Sequence, residues 1–207
     1  MTRVASLTVI VPTFLRAMEL RRCLHGLARQ TVQPREVLVV VRDIDLEAHA
    51  VLGEPWPETL PLKTLRIERP GVVAALNLAL DHATGEFVAM TDDDAVPRPD
   101  WVEKLEAAFA AFPRAGGIGG RDVLTLPDNP PPAPLTETVG VIAWYGRVYG
   151  NFHCGKGAPR PVRTLKGVNM AYRRQAIGAL RFDERLLGSA TQGANRARLC
   201  AAIRQAH

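Results

Sequence analysis

Three short apolar runs limit what this chain can fold into. Leu7-Thr8-Val9-Ile10-Val11, Val37-Leu38-Val39-Val40-Val41 and Phe87-Val88-Ala89-Met90 carry no charge, and the first two are rich in β-branched residues. Uncharged runs of this length, without polar alternation, suit parallel strands buried on both faces. After the first run, Leu20, Leu24 and Leu27 recur at helical spacing in a segment that extends to Gln30. Residues 52–61 are rich in proline and read as a loop, and residues 65–67 as a short strand. Arg69-Pro70-Gly71 then turns into a helix with Val72, Leu76, Ala79 and Ala83 on one face. Strand and helix in alternation predict an α/β fold, a doubly wound, mostly parallel sheet flanked by helices. At 207 residues the chain can bury one core, so residues 1–207 are expected to form one domain.

The run ending at Met90 leads into Thr91-Asp92-Asp93-Asp94, and Pro97 and Pro99 stop the sheet from continuing. Three adjacent carboxylates repel one another, so a fold that keeps them needs a positive partner. Hard oxygen ligands suit magnesium or manganese, which keep substrate phosphates in their coordination shell. Ligands of open α/β sheets also sit at the carboxyl ends of strands. The plainer alternative is a solvated acidic turn, with Asp100-x-x-Glu103 capping the next helix. That helix carries a core stripe of Trp101, Leu105, Ala108, Phe109 and Phe112.

Several classes are excluded or disfavoured. Where a dinucleotide fold needs its glycine fingerprint, the chain has Val11-Pro12-Thr13-Phe14-Leu15-Arg16, which argues against a dehydrogenase. The same turn lacks the basic glycine-rich signature of a nucleotidyltransferase. Gly116-Gly117-Ile118-Gly119-Gly120 lacks P-loop spacing and lysine, and is expected to lead into a strand over residues 121–123. A net charge of +5 would suit nucleic acid, but the arginines are scattered without a basic run or interleaved aromatics, so no nucleic-acid partner is expected. The same charge suits phosphate-bearing small molecules or an anionic membrane surface. Cys23, Cys154 and Cys200 fit no zinc or disulfide spacing and read as reduced thiols. With no leader pattern and no apolar stretch of about 20 residues, a cytoplasmic location is expected. Peripheral attachment to the inner membrane face is a further expectation that the positive charge carries.

Beyond the acidic triplet, residues 127–134 form a proline-rich loop and residues 139–145 read as a strand. Gly146-Arg147-Val148-Tyr149-Gly150-Asn151-Phe152-His153 follows as a glycine-flanked loop. His153 is a hydrogen-bond donor for a ligand, or simply a polar loop residue. Lys166-Gly167-Val168-Asn169-Met170-Ala171-Tyr172 combines a turn glycine with a strand, and Leu199, Cys200 and Ile203 recur at helical spacing.

Four segments in this order, Leu7 to Phe14, Gly71 to Glu86, the triplet with Pro99-Asp100-Trp101, and Lys166 to Arg174 followed by Phe182-Asp183-Glu184-Arg185, resemble the family 2 glycosyltransferases. These are inverting enzymes of GT-A fold that use nucleotide-diphosphate sugars. The resemblance implies transfer of a sugar to a glycan or lipid hydroxyl, with a divalent metal, Mn2+ or Mg2+, as cofactor. It implies that Pro12 and Thr13 hold the base and ribose, with Arg16 near the phosphates. An acid after the second strand would receive the base, and Asp43 and Asp45 are both candidates. Asn77 matches the family's asparagine, whereas Leu76 replaces a basic residue and removes one phosphate contact. Asp92 is assigned to ribose and also to the metal, Asp94 to the metal, and Asp93 to either. Gly167 and Asn169 lie on the donor-sugar side, and Asn151 and His153 on the acceptor side. Residues 1–126 would be the nucleotide-sugar half and residues 135–207 the acceptor half, incomplete beside the family pattern.

An inverting transferase needs a carboxylate to deprotonate the acceptor hydroxyl. The family pattern puts that acid past Phe182-Asp183-Glu184, where this chain reads Ala194-Asn195-Arg196, and no acid lies between Arg185 and His207. Asp183 and Glu184 are the remaining catalytic candidates. A nucleotide-sugar binder without a general base is the alternative expectation.

Overall fold

A computed structural model describes residues 3–125 and 133–185. The first apolar run is β1 (Leu7–Thr13), followed by α1 (Ala17–Ala28) and β2 (Glu36–Arg42). Next come α2 (Leu46–Leu52), β3 (Leu62–Ile67), α3 (Val72–His82) and β4 (Phe87–Met90). After α4 (Trp101–Ala111) lie β5 (Gly117–Gly119), the paired β6 (Val141–Ile142) and β7 (Val148–Tyr149), β8 (Met170–Arg173) and α5 (Arg174–Ile177). Six strands form one sheet in the order β3-β2-β1-β4-β8-β5. The first four are mutually parallel, whereas β8 runs antiparallel between β4 and β5. The mostly parallel α/β expectation holds, with β8 as its antiparallel exception.

The core lies on both faces of the sheet, as the uncharged runs require. Side chains alternate along β1 and β2: Leu7, Val9, Val11, Val37, Val39 and Val41 pack towards α1 and α4, whereas Ile10, Leu38 and Val40 pack towards α3. In α4 the buried positions are Val102, Leu105 and Phe109; Phe112 is exposed, so the sequence stripe was rotated at both ends.

Three local readings are corrected. Asp100 makes no side-chain cap to α4 and pairs instead with Lys104 at 2.7 Å. The cap comes from Gln30, whose Oε1 accepts the Val102 N–H at 3.0 Å while its amide donates to the Gly26 and Arg98 carbonyls. The strand expected at residues 121–123 is the glycine cluster itself. A Cβ at Gly117 would stand 2.6 Å from the Tyr172 ring and one at Gly119 would stand 2.9 Å from Leu165, so β5 can pair with β8 only with glycine there. The strand read at residues 139–145 is the short β6, turned back on β7 as a hairpin. The helical spacing of Leu199, Cys200 and Ile203 lies outside the described residues.

Candidate functional site

The crossovers reverse direction at β1: β2 and β3 lie on one side, and the chain then returns to place β4 on the other. A crevice outside the carboxyl ends of β1 and β4 follows from that reversal. The Asp92-Asp93-Asp94 loop leaves β4 at this point, and the Thr13-Phe14-Leu15-Arg16 turn leaves β1 beside it.

Asp93 is the buried member of the triplet at 4% exposure. Its Oδ2 accepts the Thr13 hydroxyl at 2.7 Å, and its Oδ1 takes an Arg16 Nη1–H at 3.2 Å. The same guanidinium nitrogen donates to Asp94 Oδ2 at 2.9 Å, and the Asp94 side chain is half exposed. Burial raises the Asp93 carboxyl above the usual range, opposed by the Thr13 hydrogen bond and the Arg16 charge. Arg16 is correspondingly raised, chiefly by the Asp93 charge. The positive partner that three adjacent acids demand is therefore supplied in part by the chain. Cys23 lies fully buried beneath the loop, and burial followed by the three carboxylates pushes its thiol pKa far up, so it stays protonated.

Asp92 is partly buried and lines a small crevice with Pro12, Leu76, Thr91, Gly167 and Phe182. Leu76 stands in this wall and brings no charge to it. Asp92 and Asp94 offer hard oxygen donors at the mouth of the site, which fits a magnesium-type ion bound by one or two carboxylates plus phosphate oxygens. Among the described residues no group of three or more His, Cys, Asp or Glu side chains forms a cage. An ion sharing substrate phosphates needs none.

A second cleft of about 480 Å³ opens beyond the ends of β2 and β3, lined among others by Asp43, Arg69, Asn77 and Glu184. Asp43 is exposed here, whereas Asp45 is 1% exposed and engaged. Asp45 caps α2 through the Ala48 N–H at 3.1 Å and holds the Leu15 N–H at 2.6 Å. Leu15 has φ +54°, a left-handed conformation that a branched residue rarely adopts. Asp45 thus positions the turn that carries Arg16, and of the two acids after β2 it is Asp43 that faces a cleft.

Asn77 is a clamp. Its amide donates to the Phe182 carbonyl at 3.0 Å and to Glu184 at 3.2 Å, and its Oδ1 accepts the Phe182 N–H at 2.9 Å. Glu184 also pairs with Arg69 at 2.7 Å, and Asp183 takes the Arg185 guanidinium at 2.9 Å. Asn169 accepts the Trp101 indole N–H at 2.9 Å. Asn151 has φ +48° and donates to the Thr138 carbonyl at 2.9 Å, a turn-forming role. His153 lies in a short 3-10 turn, Phe152–Cys154, and its carbonyl accepts from Arg121 at 3.0 Å. The structure thus gathers Pro12, Asp92 and Gly167 at one crevice, Thr13, Arg16, Asp93 and Asp94 in one network, and Asp43, Asn77 and Glu184 at the second cleft. Asn151 and His153 belong to neither cleft, and Ala194-Asn195-Arg196 lie outside the described residues. Arg69 and Trp101 were missed as site neighbours; the turn Arg69-Pro70-Gly71 before α3 was the available signal for the first.

Comparison with known proteins decides the family. The model of Glycosyl transferase family 2 matches residues 8–181, a span that contains β1, the acidic loop and β8. The chain belongs to glycosyltransferase family 2. It is 30% identical over 100 residues to the uncharacterized glycosyltransferase YwdF of Bacillus subtilis, covering 48% of this chain and 36% of that protein. It is 26% identical over 148 residues to the glucosyl-dolichyl phosphate glucuronosyltransferase of Haloferax volcanii, covering 72% and 45%. Among solved structures, TarS of S. aureus superposes with a TM-score of 0.66 at 22% identity, over 95% of this chain and 54% of that one. The mannosyltransferase PcManGT of Pyrobaculum calidifontis, solved with GDP-Man and Mn2+, gives 0.61 at 23% identity, over 98% and 52%. These structural likenesses establish the GT-A fold. This family member spans about half the length of those solved chains and less than half of the two sequence relatives. Among the described residues no helix is long and apolar enough to cross a membrane.

Proposed function

We propose that this chain binds a nucleotide-diphosphate sugar at the β1–β4 crevice and serves metal-assisted transfer of the sugar to a glycan or lipid hydroxyl. The observation that carries the reading is the acidic loop at the reversal of strand order, with Asp93 anchored on Thr13 and Arg16, Asp94 paired with the same Arg16, and Asp92 lining the crevice. Thr13 and Asp93 fix the loop, Asp92 is placed for the ribose, and Arg16 is within reach of a diphosphate seated beside Asp94. Asp94 and Asp92 would hold a divalent ion, which when bound would neutralise charge developing on the departing diphosphate. Asp43 is placed for the base, with the second cleft as its pocket.

Screening UDP- and GDP-sugars for thermal stabilisation with and without manganese tests the reading. A donor present at about 100 times its Kd stabilises by about 2.7 kcal/mol, and the shift is expected to be larger with metal than without it. No shift with any nucleotide sugar would overturn it. The two acids after β2 should then separate. Asp43→Asn is expected to reduce discrimination between UDP and GDP at least about tenfold, because a lost polar pairing relaxes selectivity strongly. Asp45→Ala should instead cost about 1–2 kcal/mol of stability through the lost cap. Unchanged selectivity in the Asp43 variant would place the base elsewhere.

A second reading, donor binding without transfer, is favoured by the engagement of both remaining base candidates. Glu184 is held by Arg69 and Asn77, and Asp183 by Arg185. Measuring donor binding and sugar transfer on one preparation separates the two readings, since the binder alone gives the thermal shift and no product.

A further inference from the structure

The β6–β7 hairpin takes no part in either cleft, yet it presents the most exposed large apolar side chain among the described residues. Val141 pairs with Tyr149 and Ile142 with Val148. The loop closes through the Ala143 N–H on the Arg147 carbonyl at 2.8 Å and the Gly146 N–H on the Ala143 carbonyl at 2.9 Å. Gly146 has φ +87°, and no atom lies within 4 Å of where its Cβ would stand, so the tip projects into the open. Trp144 at that tip is 95% exposed and Tyr145 is 56% exposed, with Val141 and Val148 also at the surface. The Tyr145 and Tyr149 hydroxyls meet at 2.7 Å, and Arg147 lies over the Tyr149 ring. An apolar aromatic projection of this kind marks an interaction site.

Charge indicates which kind of partner. The hairpin base is tied to its neighbours by the Gly140 N–H on the Gly150 carbonyl at 3.0 Å and the Arg163 N–H on the Gly140 carbonyl at 2.7 Å. That brings in Lys156, Arg160 and Arg163, all exposed, alongside exposed Arg147. Among the described residues none of these four is paired with a carboxylate; Arg160 spends its hydrogen bonds on the Glu137 and Lys156 carbonyls, which leave its charge uncompensated. Glu137 is the single acid in residues 133–167. The other apolar rim, with Leu15, Met18, Ile44 and Leu46, mixes Glu19, Asp43, Glu47 and Asp94 with Arg16, Arg22 and Arg42, and Arg16 and Arg22 are paired with Asp94 and Glu19, so it lacks the uncompensated positive charge of the hairpin.

We propose that the β6–β7 hairpin is a membrane anchor that seats the protein on an anionic bilayer surface, with Trp144 and Tyr145 at headgroup level and Arg147, Lys156, Arg160 and Arg163 on the lipid phosphates. Indole and phenol rings settle at membrane interfaces because one end is apolar and the other polar. Each cation near an anionic leaflet strengthens binding about fivefold. The inference rests on the hairpin and the basic residues beside its base, and stands apart from the transferase reading, which it would complement by bringing the protein to lipid acceptors.

Co-sedimentation of the 207-residue chain with vesicles of phosphatidylcholine, and of phosphatidylcholine mixed equally with phosphatidylglycerol, tests the anchor without any nucleotide present. Binding is expected to the mixed vesicles alone and to weaken as salt rises. Trp144→Ala should lower partitioning about tenfold, and Arg160→Glu with Arg163→Glu roughly 20-fold or more, with circular dichroism unchanged in both. Leu46→Ser, on the other apolar rim, should partition like the parent. No vesicle binding, or binding indifferent to lipid charge and to Trp144, would overturn the anchor. So would Trp144-dependent self-association, or Trp144-dependent affinity for a soluble oligosaccharide, in a chain that ignores vesicles. Vesicle binding without any donor-induced thermal shift would retire the transferase reading and leave the anchor standing.

Discussion

Asp94→Ala is expected to weaken manganese-dependent binding of UDP or GDP at least about 100-fold, since even partners that merely orient metal ligands are worth about 10- to 100-fold. The substitution should leave the melting temperature close to the parent's. Asp94 is half exposed and its ion pair with Arg16 is solvent-facing, so little folding energy resides there. Asp93→Ala should behave differently, costing about 1–3 kcal/mol of stability, because it orphans the buried Thr13 hydroxyl and leaves Arg16 with Asp94 as the remaining carboxylate of the pair. Asp92→Ala should weaken nucleotide binding even in the presence of a chelator. Calorimetric titration with manganese and with chelator checks all three. If the Asp94 and Asp92 variants both bind nucleotide as the parent does with metal present, the triplet is only a solvated acidic turn.

The largest effect on stability is expected at the other end of the parallel strands, away from the crevice. Glu36 begins β2 and is 1% exposed. Its oxygens accept from Thr8 Oγ1 at 2.7 Å, from the Thr84 N–H and hydroxyl at 2.7 and 2.8 Å, and from Lys63 Nζ at 2.8 Å. Burial alone would raise this carboxyl, but the hydrogen bonds from Lys63, Thr84 and Thr8 outweigh it and hold the pKa at about 2, against an ordinary 4.5. Removing one side of so closely bonded a group is costly, and Glu36→Ala should lose about 3 kcal/mol, or roughly 6–12 °C of melting temperature. The depressed pKa also fixes the sign of the pH dependence. Its stabilisation is fully present above about pH 5 and is lost as pH falls towards 2, amounting to about 2–3 kcal/mol after allowing for the exposed Lys63. Glu36→Gln should flatten that acid limb in urea titrations; an unchanged limb would assign acid sensitivity to other carboxylates.

What could be read from residues and what could not divides along the range of the interaction. β1, β2, β4 and α3 declare themselves because burial on one or both faces is a local pattern. The helix α2 went unread ahead of the loop at residues 52–61, although Asp45 followed by Leu46-Glu47-Ala48 carries a cap and an acidic first turn. The strand β5 was hidden because glycine speaks against strands locally, and the reason for it is the ring of Tyr172, distant in sequence. Asp100 looked like the cap of α4, but the side chain of Gln30 reaches the helix end first. At the site, the triplet and the Pro12-Thr13 turn were legible as chemistry. Their joining through Thr13, Arg16 and Asp93, and the separation of Asp43 from Asp45, depend on contacts across dozens of residues that no spacing rule contains.

The position of β8 also governs how the chain comes together during synthesis. When β1 to β4 have emerged, β4 has β1 on one side and a bare row of amides and carbonyls on the other. Its cover, Met170–Arg173, follows only after residues 91–169 have been made, roughly 4–16 s later at about 5–20 residues per second. Through that interval the strand that delivers the acidic loop is an open edge, vulnerable to pairing with another nascent chain. A cut between β5 and β6 would make the exposure permanent, and the N-terminal piece is then expected to aggregate unless a strand is supplied to cover β4.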